Sequence, residues 1–347
     1  MERNNKNHTS ELRRRGFLKS AGIGMIALAG AGASSLAAVP SCSIAPGASG
    51  PQKRSREERL RQMASNSYAV NRLFKRRQYP NRPERPETTA LKEKYGEITL
   101  LDFPQFTRDT YAGVLAMDLW SSLFGDIHDN SMFVRAERNG RIYYRDFDPG
   151  AASAKAYLDK LADKIAVSGL KAVHISNNAP RNLADPDEAK RQEGIRVGKQ
   201  WLDASRHIGV QSMRCNTGGP RIIPASEIQG GYPQNLEIEP YLKNAIESFR
   251  ELADYGEKVG VKVTIENHWG LAANPINIRI IINEVNSPWC EASPDFCNWE
   301  HKYMLYNGLE VLVPMASSMI HAKRWTRFPD VDIARCVRVL NDAGYQG

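Results

Sequence analysis

The chain has 347 residues, 41% hydrophobic and 25% charged, with 47 Lys+Arg, 39 Asp+Glu, 7 His and 5 Cys. That composition excludes a disordered chain, a collagen and a disulfide-dense mini-domain, and the length suffices for one large core or two small ones. The formal net charge of +8 is uneven: residues 1–20 carry six Lys/Arg against two Glu, 21–50 carry no charge, 51–97 carry thirteen Lys/Arg against six Glu, and 98–347 are net −3. The main body is therefore mildly acidic, which speaks against nucleic acid as a partner.

The front end comes first in chain order. Arg14-Arg15-Gly16-Phe17-Leu18-Lys19 sits in a basic N-terminal region, followed by the uncharged, Ala- and Gly-rich stretch Ser20 to Pro40. This R-R-x-F-L-K pattern resembles a twin-arginine (Tat) signal peptide, which implies export through the Tat machinery to the periplasm or cell envelope. An uncleaved membrane anchor is the competing reading, since the segment is long enough to span a bilayer although weakly apolar. Val39-Pro40-Ser41-Cys42 resembles an imperfect lipobox. Cys42 is thus a candidate lipid anchor, against an ordinary cleavage site between Ala31 and Ala38. The Tat route carries proteins that fold before export, often around a cofactor, so a preloaded metal fits it.

Residues 1–42 are thus read as the signal peptide and 43–95 as a basic linker and helical arm. Within the arm, 43–52 are Gly/Ser/Pro-rich, 53–78 are helix-prone and basic, and Gln78 to Thr89 form an extended, proline-bearing connector. The arm packs on the main domain or contacts an anionic surface.

From residue 96 the pattern becomes an alternation of short apolar runs and amphipathic helices. The expected strands are Ile98–Asp102, Val114–Asp118, Lys171–Ser176, Val210–Arg214, Val261–Glu266, Trp289–Asp295 and Ser318–Ala322. An exposed insert occupies 126–150. Helices are expected at Tyr157–Ser168, 187–206, 237–258, Ile276–Val285, 301–310 and Val331–Ala343. Repeated β–α units predict a parallel sheet flanked by helices. Their spacing of about 30–35 residues suits a (β/α)₈ TIM barrel spanning 96–347. Seven strands are counted, and the chain ends where an eighth would begin. Cys215, Cys290, Cys297 and Cys336 lack short metal or redox spacing. Cys290 and Cys297 on one extended segment would lie ~23 Å apart, too far for a disulfide.

Catalytic groups of such barrels gather at the C-terminal strand ends. Three of these ends read Glu266-Asn267-His268, Asp295-Phe296-Cys297-Asn298 and His321-Ala322-Lys323. Two carboxylates and an imidazole on one mouth form a mixed O/N ligand set for Mn²⁺, Mg²⁺, Co²⁺ or Zn²⁺. Each residue alone has a bland reading: a strand-end acid is often a helix cap, and a lone histidine is often a buried structural one. Trp269, Trp299 and Trp325 follow the ligands by three or four residues. They are candidate stacking walls for a sugar, or else core aromatics.

These motifs, with Leu101-Asp102-Phe103-Pro104, Asn216-Thr217-Gly218-Gly219 and the terminal Ala343-Gly344-Tyr345-Gln346-Gly347, resemble the xylose-isomerase-like TIM barrels. That group includes sugar-phosphate isomerases and epimerases, ketose 3-epimerases and inosose dehydratases. The resemblance runs from Glu97 to the end. It implies Glu266, Asp295 and His321 as metal ligands, spaced by 29 and 26 residues. It implies a metal-dependent isomerase or epimerase working on a sugar or polyol by proton transfer alpha to a carbonyl, through an enediolate. Glu266 would be the base, Lys323, Arg327 and His268 would orient hydroxyls or stabilise the oxyanion, and Asn298 would contact substrate. The departures are specific. The fourth ligand, a Glu on strand eight, lies beyond the last residue. Ala272 and Asn298 stand where ketose 3-epimerases carry Glu and His. Two other readings stay open: a non-catalytic exported sugar-binding protein or inactive truncated barrel, and an endonuclease-IV-like nuclease, which the acidic body disfavours. The sequence carries no signal for oligomeric state.

Overall fold

A computed structural model describes residues 54–77, 83–220, 238–324 and 326–347, all within one compact unit. Arg14, Arg15, Cys42 and Trp325 lie outside the described residues. Six parallel strands form the central sheet: β1 (Ala64–Asn66), β2 (Ala116–Trp120), β5 (Lys171–Ser176), β6 (Ser212–Arg214), β7 (Lys262–Ile265) and β8 (Cys290–Ala292), hydrogen-bonded in that order. Strands β3 (Phe133–Arg138) and β4 (Arg141–Phe147) form an antiparallel hairpin inside the expected insert. This is the α/β arrangement of a TIM barrel of the expected type, although among the described residues no pairing closes the sheet into a ring.

The helices follow from local signals. α1 (Arg56–Arg61) opens with a capping box on Ser55 and Glu58. α2 (Pro86–Tyr95) and α3 (Phe103–Thr110) both carry a proline in the first turn, where a missing N–H costs nothing. α4 (Ala152–Ser168) buries Tyr157, Leu158, Leu161 and Ile165 at helical spacing and stops at Gly169, which takes a left-handed conformation. α5 (Glu188–His207) starts where the Asp187 carboxylate accepts from the amides of Ala189 and Lys190. α6 (Glu239–Val259) ends at left-handed Gly260, and the Asn274 side chain caps α7 (Pro275–Val285). α8 (Lys302–Leu312) and α9 (Ile333–Asp342) complete the set.

Two strand expectations need correction. Ile98–Asp102 is not a strand. Ile98 makes one parallel bridge to Phe74, and then the Asp102 carboxylate accepts from both the amide and the hydroxyl of Thr99. That turn, with Pro104 behind it, converts the apolar run into a helix start. The first strand is instead Ala64-Ser65-Asn66, inside the segment read as a helical arm, in register with Ala116, Met117 and Asp118. The expected seventh strand shrinks to a single bridge, His321 with Asp295.

The sheet has two chemically different faces. Met117, Leu119, Ile175, Met213, Val263, Ile265 and Ala292 are buried in the apolar core with the helices. Asp118, His174, Ser176, Ser212, Arg214, Thr264, Glu266 and Ser293 are buried too, at two-residue spacing along the strands. They bond across strands, as in His174 Nδ1 with Ser212 Oγ at 2.8 Å and Thr264 Oγ1 with Ser293 Oγ at 2.8 Å. Strand alternation puts these polar residues on one face, the one that carries the site.

Trp299 belongs to the core. It is 1% exposed, its indole N–H donates to the Phe296 carbonyl at 3.1 Å, and its ring lies against Gly308 of α8. A wall role in an open sugar site is therefore corrected: buried and bonded inward, the ring cannot stack on a ligand. Gly308→Ala would drive a methyl into the indole. Overpacking of this kind costs about 1–3 kcal/mol, with up to ~1 kcal/mol returned by better helix propensity. A lowered urea midpoint at unchanged slope is the expected readout.

Candidate metal and sugar site

The site grows from strand ends. Glu266 directly follows β7, Asp295 follows β8, and His321 is bridged to Asp295 through main-chain bonds, His321 N to Pro294 O at 3.0 Å and Phe296 N to His321 O at 3.1 Å. Asn267 clasps Asp295 from the neighbouring strand end: its side-chain oxygen accepts from the Asp295 amide at 2.6 Å and its NH₂ donates to the Asp295 carbonyl at 3.0 Å. A second tie joins the loops after β6 and β7, where Gly218 and Gly270, both left-handed, pass back to back. A side chain at Gly270 would collide with the Gly218 carbonyl, so only glycine allows this approach.

Ligand atoms of Glu266, Asp295 and His321 lie within 4.8 Å of one another. Glu266 Oε1 accepts from the Asn298 amide at 2.6 Å, and Oε2 forms a buried ion pair with the Arg214 guanidinium. Arg214 is itself held by the Asn177 carbonyl at 2.8 Å and by Asn178 Oδ1 at 3.0 Å. Lys323 Nζ donates to Asn298 Oδ1 at 2.7 Å and lies 3.5 Å from Asp295 Oδ2. On the other side His321 Nε2 is 3.0 Å from Asp118 Oδ2, while its Nδ1 lies 3.8 Å from Glu266 Oε2 and has no hydrogen-bond partner.

Burial would raise every carboxylate here; the neighbours decide the outcome. For Glu266 the Arg214 and His321 charges overcome burial and hold the carboxyl below its ordinary range. For Asp295 burial and the Glu266 charge win over Lys323, and the carboxyl is pushed up. Asp118 is lowered despite burial, mainly by His321 and His174. His321 is pushed up to about 9, since the Asp118 hydrogen bond and the charges of Glu266, Asp118 and Asp295 outweigh burial. His174, fully buried, is pushed down to about 4 and stays neutral.

A divalent cation fits these residues. Two carboxylates and an imidazole are its donor types, and the unpartnered His321 Nδ1 is the buried nitrogen that would offer such an ion a lone pair on giving up its proton. The strongly raised His321 shows that the spot favours positive charge.

The structure thus brings Glu266, Asp295, His321, Lys323 and Asn298 together. His268 and Trp269 lie exposed on the loop after β7, with Trp269 37% exposed. Arg327 is exposed, its guanidinium donating to the Glu300 carbonyl at 2.6 Å and lying 5.5 Å from the Phe328 ring. Among the described residues Cys215, Cys290, Cys297 and Cys336 are buried and form no disulfide. Sequence reasoning missed Asp118, His174, Ser176 and Arg214. Their signal was available as polar residues at two-residue spacing inside apolar strands.

The chain belongs to the xylose isomerase-like TIM barrel family, whose profile matches residues 132–347. Among solved structures it is similar to a protein of Sinorhizobium meliloti 1021, at 12% identity and TM-score 0.53, covering 83% of this chain and 87% of that one. It is also similar to the 3-keto-D-glucoside 4-epimerase of E. coli, at 12% identity and TM-score 0.52, covering 79% and 89%. No curated protein matches the chain by sequence.

The Arg214–Glu266 pair is open to direct test. Arg214→Met leaves a buried carboxylate without its partner, which costs about 3–5 kcal/mol. In metal-free protein, Arg214→Met/Glu266→Gln should lose clearly less than Arg214→Met alone in denaturant unfolding. Equal losses would mean that the two charges are not coupled.

Proposed function

We propose that this protein is a metal-dependent isomerase or epimerase of a sugar or polyol, moving a proton alpha to a carbonyl through an enediolate. The observation that carries it is the convergence of Glu266, Asp295 and His321, with an orphaned imidazole nitrogen, at the strand ends of this fold. The similarity in fold to a sugar epimerase supports the same reading.

Glu266, Asp295 and His321 Nδ1 would hold Mn²⁺, Mg²⁺, Co²⁺ or Zn²⁺. Such an ion, when bound, polarises a carbonyl oxygen and so acidifies the adjacent C–H. Glu266, kept ionised by Arg214, takes the C–H proton at a carboxylate oxygen and returns it to the neighbouring carbon, while that carbon's hydroxyl proton passes to the former carbonyl oxygen. Arg214 makes Glu266 an available base at neutral pH and a weak one. Lys323 and Asn298, already bonded to each other beside both carboxylates, donate to substrate oxygens and stabilise the developing negative charge. Trp269 offers an exposed ring face and His268 a rim imidazole for hydroxyls. One-face exchange by Glu266 gives isomerisation. Epimerisation needs a second acid on the opposite face, a role the family resemblance assigns to an eighth strand.

Chelator-stripped protein reloaded with Mn²⁺ or Co²⁺ should exchange deuterium from D₂O into the alpha position of a ketose or keto-sugar, followed by NMR. Glu266→Gln should slow exchange by about 10²–10⁴-fold. A loaded protein that binds sugars without exchanging any alpha proton would sink the enzyme reading and favour a binding protein.

We further propose export by the Tat route, supported by Arg14-Arg15 ahead of the uncharged stretch, with Cys42 as a candidate lipid attachment point. Replacing both arginines by lysine should retain the precursor in the cytoplasm on cell fractionation. Cys42→Ala should release the exported protein from the membrane fraction if a lipid holds it there.

A further inference from the structure

Asp118 lies within β2, 1% exposed, with more donors around it than any other carboxylate of the site. Oδ1 accepts from the Ser176 amide at 3.0 Å. Oδ2 faces the Ser176 hydroxyl at 2.7 Å, the Asn66 amide at 2.5 Å and His321 Nε2 at 3.0 Å. Each carboxylate oxygen offers about two lone-pair sites, so the three donors around Oδ2 leave it none, while Oδ1 takes one donor. Asp118 also stands within 4.8 Å of ring nitrogens of His174 and His321, a spacing that could itself hold a metal. The saturation of Oδ2, the oxygen that faces His321, decides against that role: a ligand oxygen needs a free lone pair, and His321 Nε2 already spends its N–H on this one.

The same bonds decide the state of His321. A neutral imidazole has one N–H and one lone pair. With the N–H at Nε2 committed to Asp118, the lone pair sits on Nδ1, the atom that is unpartnered and faces Glu266. We infer that Asp118, fixed by Ser176 and Asn66, is a positioning residue that sets the tautomer and ring orientation of His321, so that Nδ1 is presented to a divalent cation between Glu266 and Asp295. This rests on the metal-site reading above. It also gives β1 a purpose: that three-residue polar strand places Asn66 against Asp118 from one side, while β5 places Ser176 from the other.

The test is Co²⁺ binding to the full chain, followed by calorimetry and the visible d–d spectrum. The wild type should bind one Co²⁺, and Glu266→Gln should abolish the site. Asp118→Asn turns one carboxylate oxygen into an NH₂ among donors and favours the other His321 tautomer. Its Co²⁺ affinity should fall about 10–100-fold, with a changed d–d band. Ser176→Ala removes a bond to Asp118 and a 3.2 Å contact with His321 Nε2 without altering the carboxylate, and should lower the affinity by less than Asp118→Asn does. Wild-type affinity and spectrum in Asp118→Asn overturn the inference while the metal site stands. So does binding of two Co²⁺, one lost in both Asp118→Asn and His174→Ala, because Asp118 would then be a ligand. No Co²⁺ binding by the wild type removes the metal-site reading and the inference with it. Should Asp118→Asn not fold, Asn66→Ala decides: an affinity loss of at least about threefold supports the role, since outer-shell partners are worth this and more, and no loss overturns it.

Discussion

Charge burial on one face of a parallel sheet is the constraint on which the rest of this structure depends. Asp118 and Glu266 both face His321, Glu266 pairs with Arg214, and Asp295 lies beside Lys323. Removing one ion from water costs several kcal/mol even after relaxation, and an unpaired one would not be tolerated. Each group is therefore held by an opposite charge and by neutral donors. Parallel strands make this feasible because their C-terminal ends all emerge on the same side, so polar residues from β2, β5, β6, β7 and β8 meet without any loop having to cross the sheet. The cost is met on the other face, where the strands and the helices bury one continuous apolar cluster.

Rigidity at the site follows from short-range ties rather than from loop length. Asn267 grips Asp295 through both main-chain groups, Asn298 bridges Glu266 to Lys323, and Cys297 returns its amide to Asp295 Oδ1 at 2.6 Å. The Asn267 and Asn298 ties join residues past neighbouring strand ends, and the Cys297 bond closes a turn within the loop after β8. Groups held this way keep their geometry before anything binds, which is the condition for donors and bases to act without reorganisation.

The residues that could be read in advance are those whose position alone carries the meaning. Glu266, Asp295 and His321 sit where apolar runs end, and a barrel makes strand ends converge. Helix bounds were legible where caps were strong, as at Asp187 and Gly260. Ala64-Ser65-Asn66 was not legible, because a three-residue strand has no alternation to show and its Asn66 earns its place through a bond to Asp118, 52 residues away. Ile98–Asp102 misled for the opposite reason: its side chains suit a strand, but Asp102 and Pro104 act on the backbone and override them. Trp299 shows that distance from a ligand in sequence does not choose a face. It follows Asp295 by four residues and turns into the core.

The Arg214–Glu266 contact gives the site its particular chemistry. Without a cation, Arg214 and the proton on His321 supply the positive charge that Glu266, Asp295 and Asp118 require. Glu266 and His321 would hold a divalent ion only after His321 gives up that proton, because the imidazole must offer a lone pair to bind. Arg214 need not leave: its Nε and Nη2 are anchored on Asn177 and Asn178, and only Nη1 is spent on Glu266. The guanidinium thus remains as a fixed cation beside Glu266. Negative charge developing on a substrate oxygen beside Glu266 would meet that cation. Under the proposed function, a base carboxylate held beside both an ion and Arg214 would favour an enediolate over the neutral sugar.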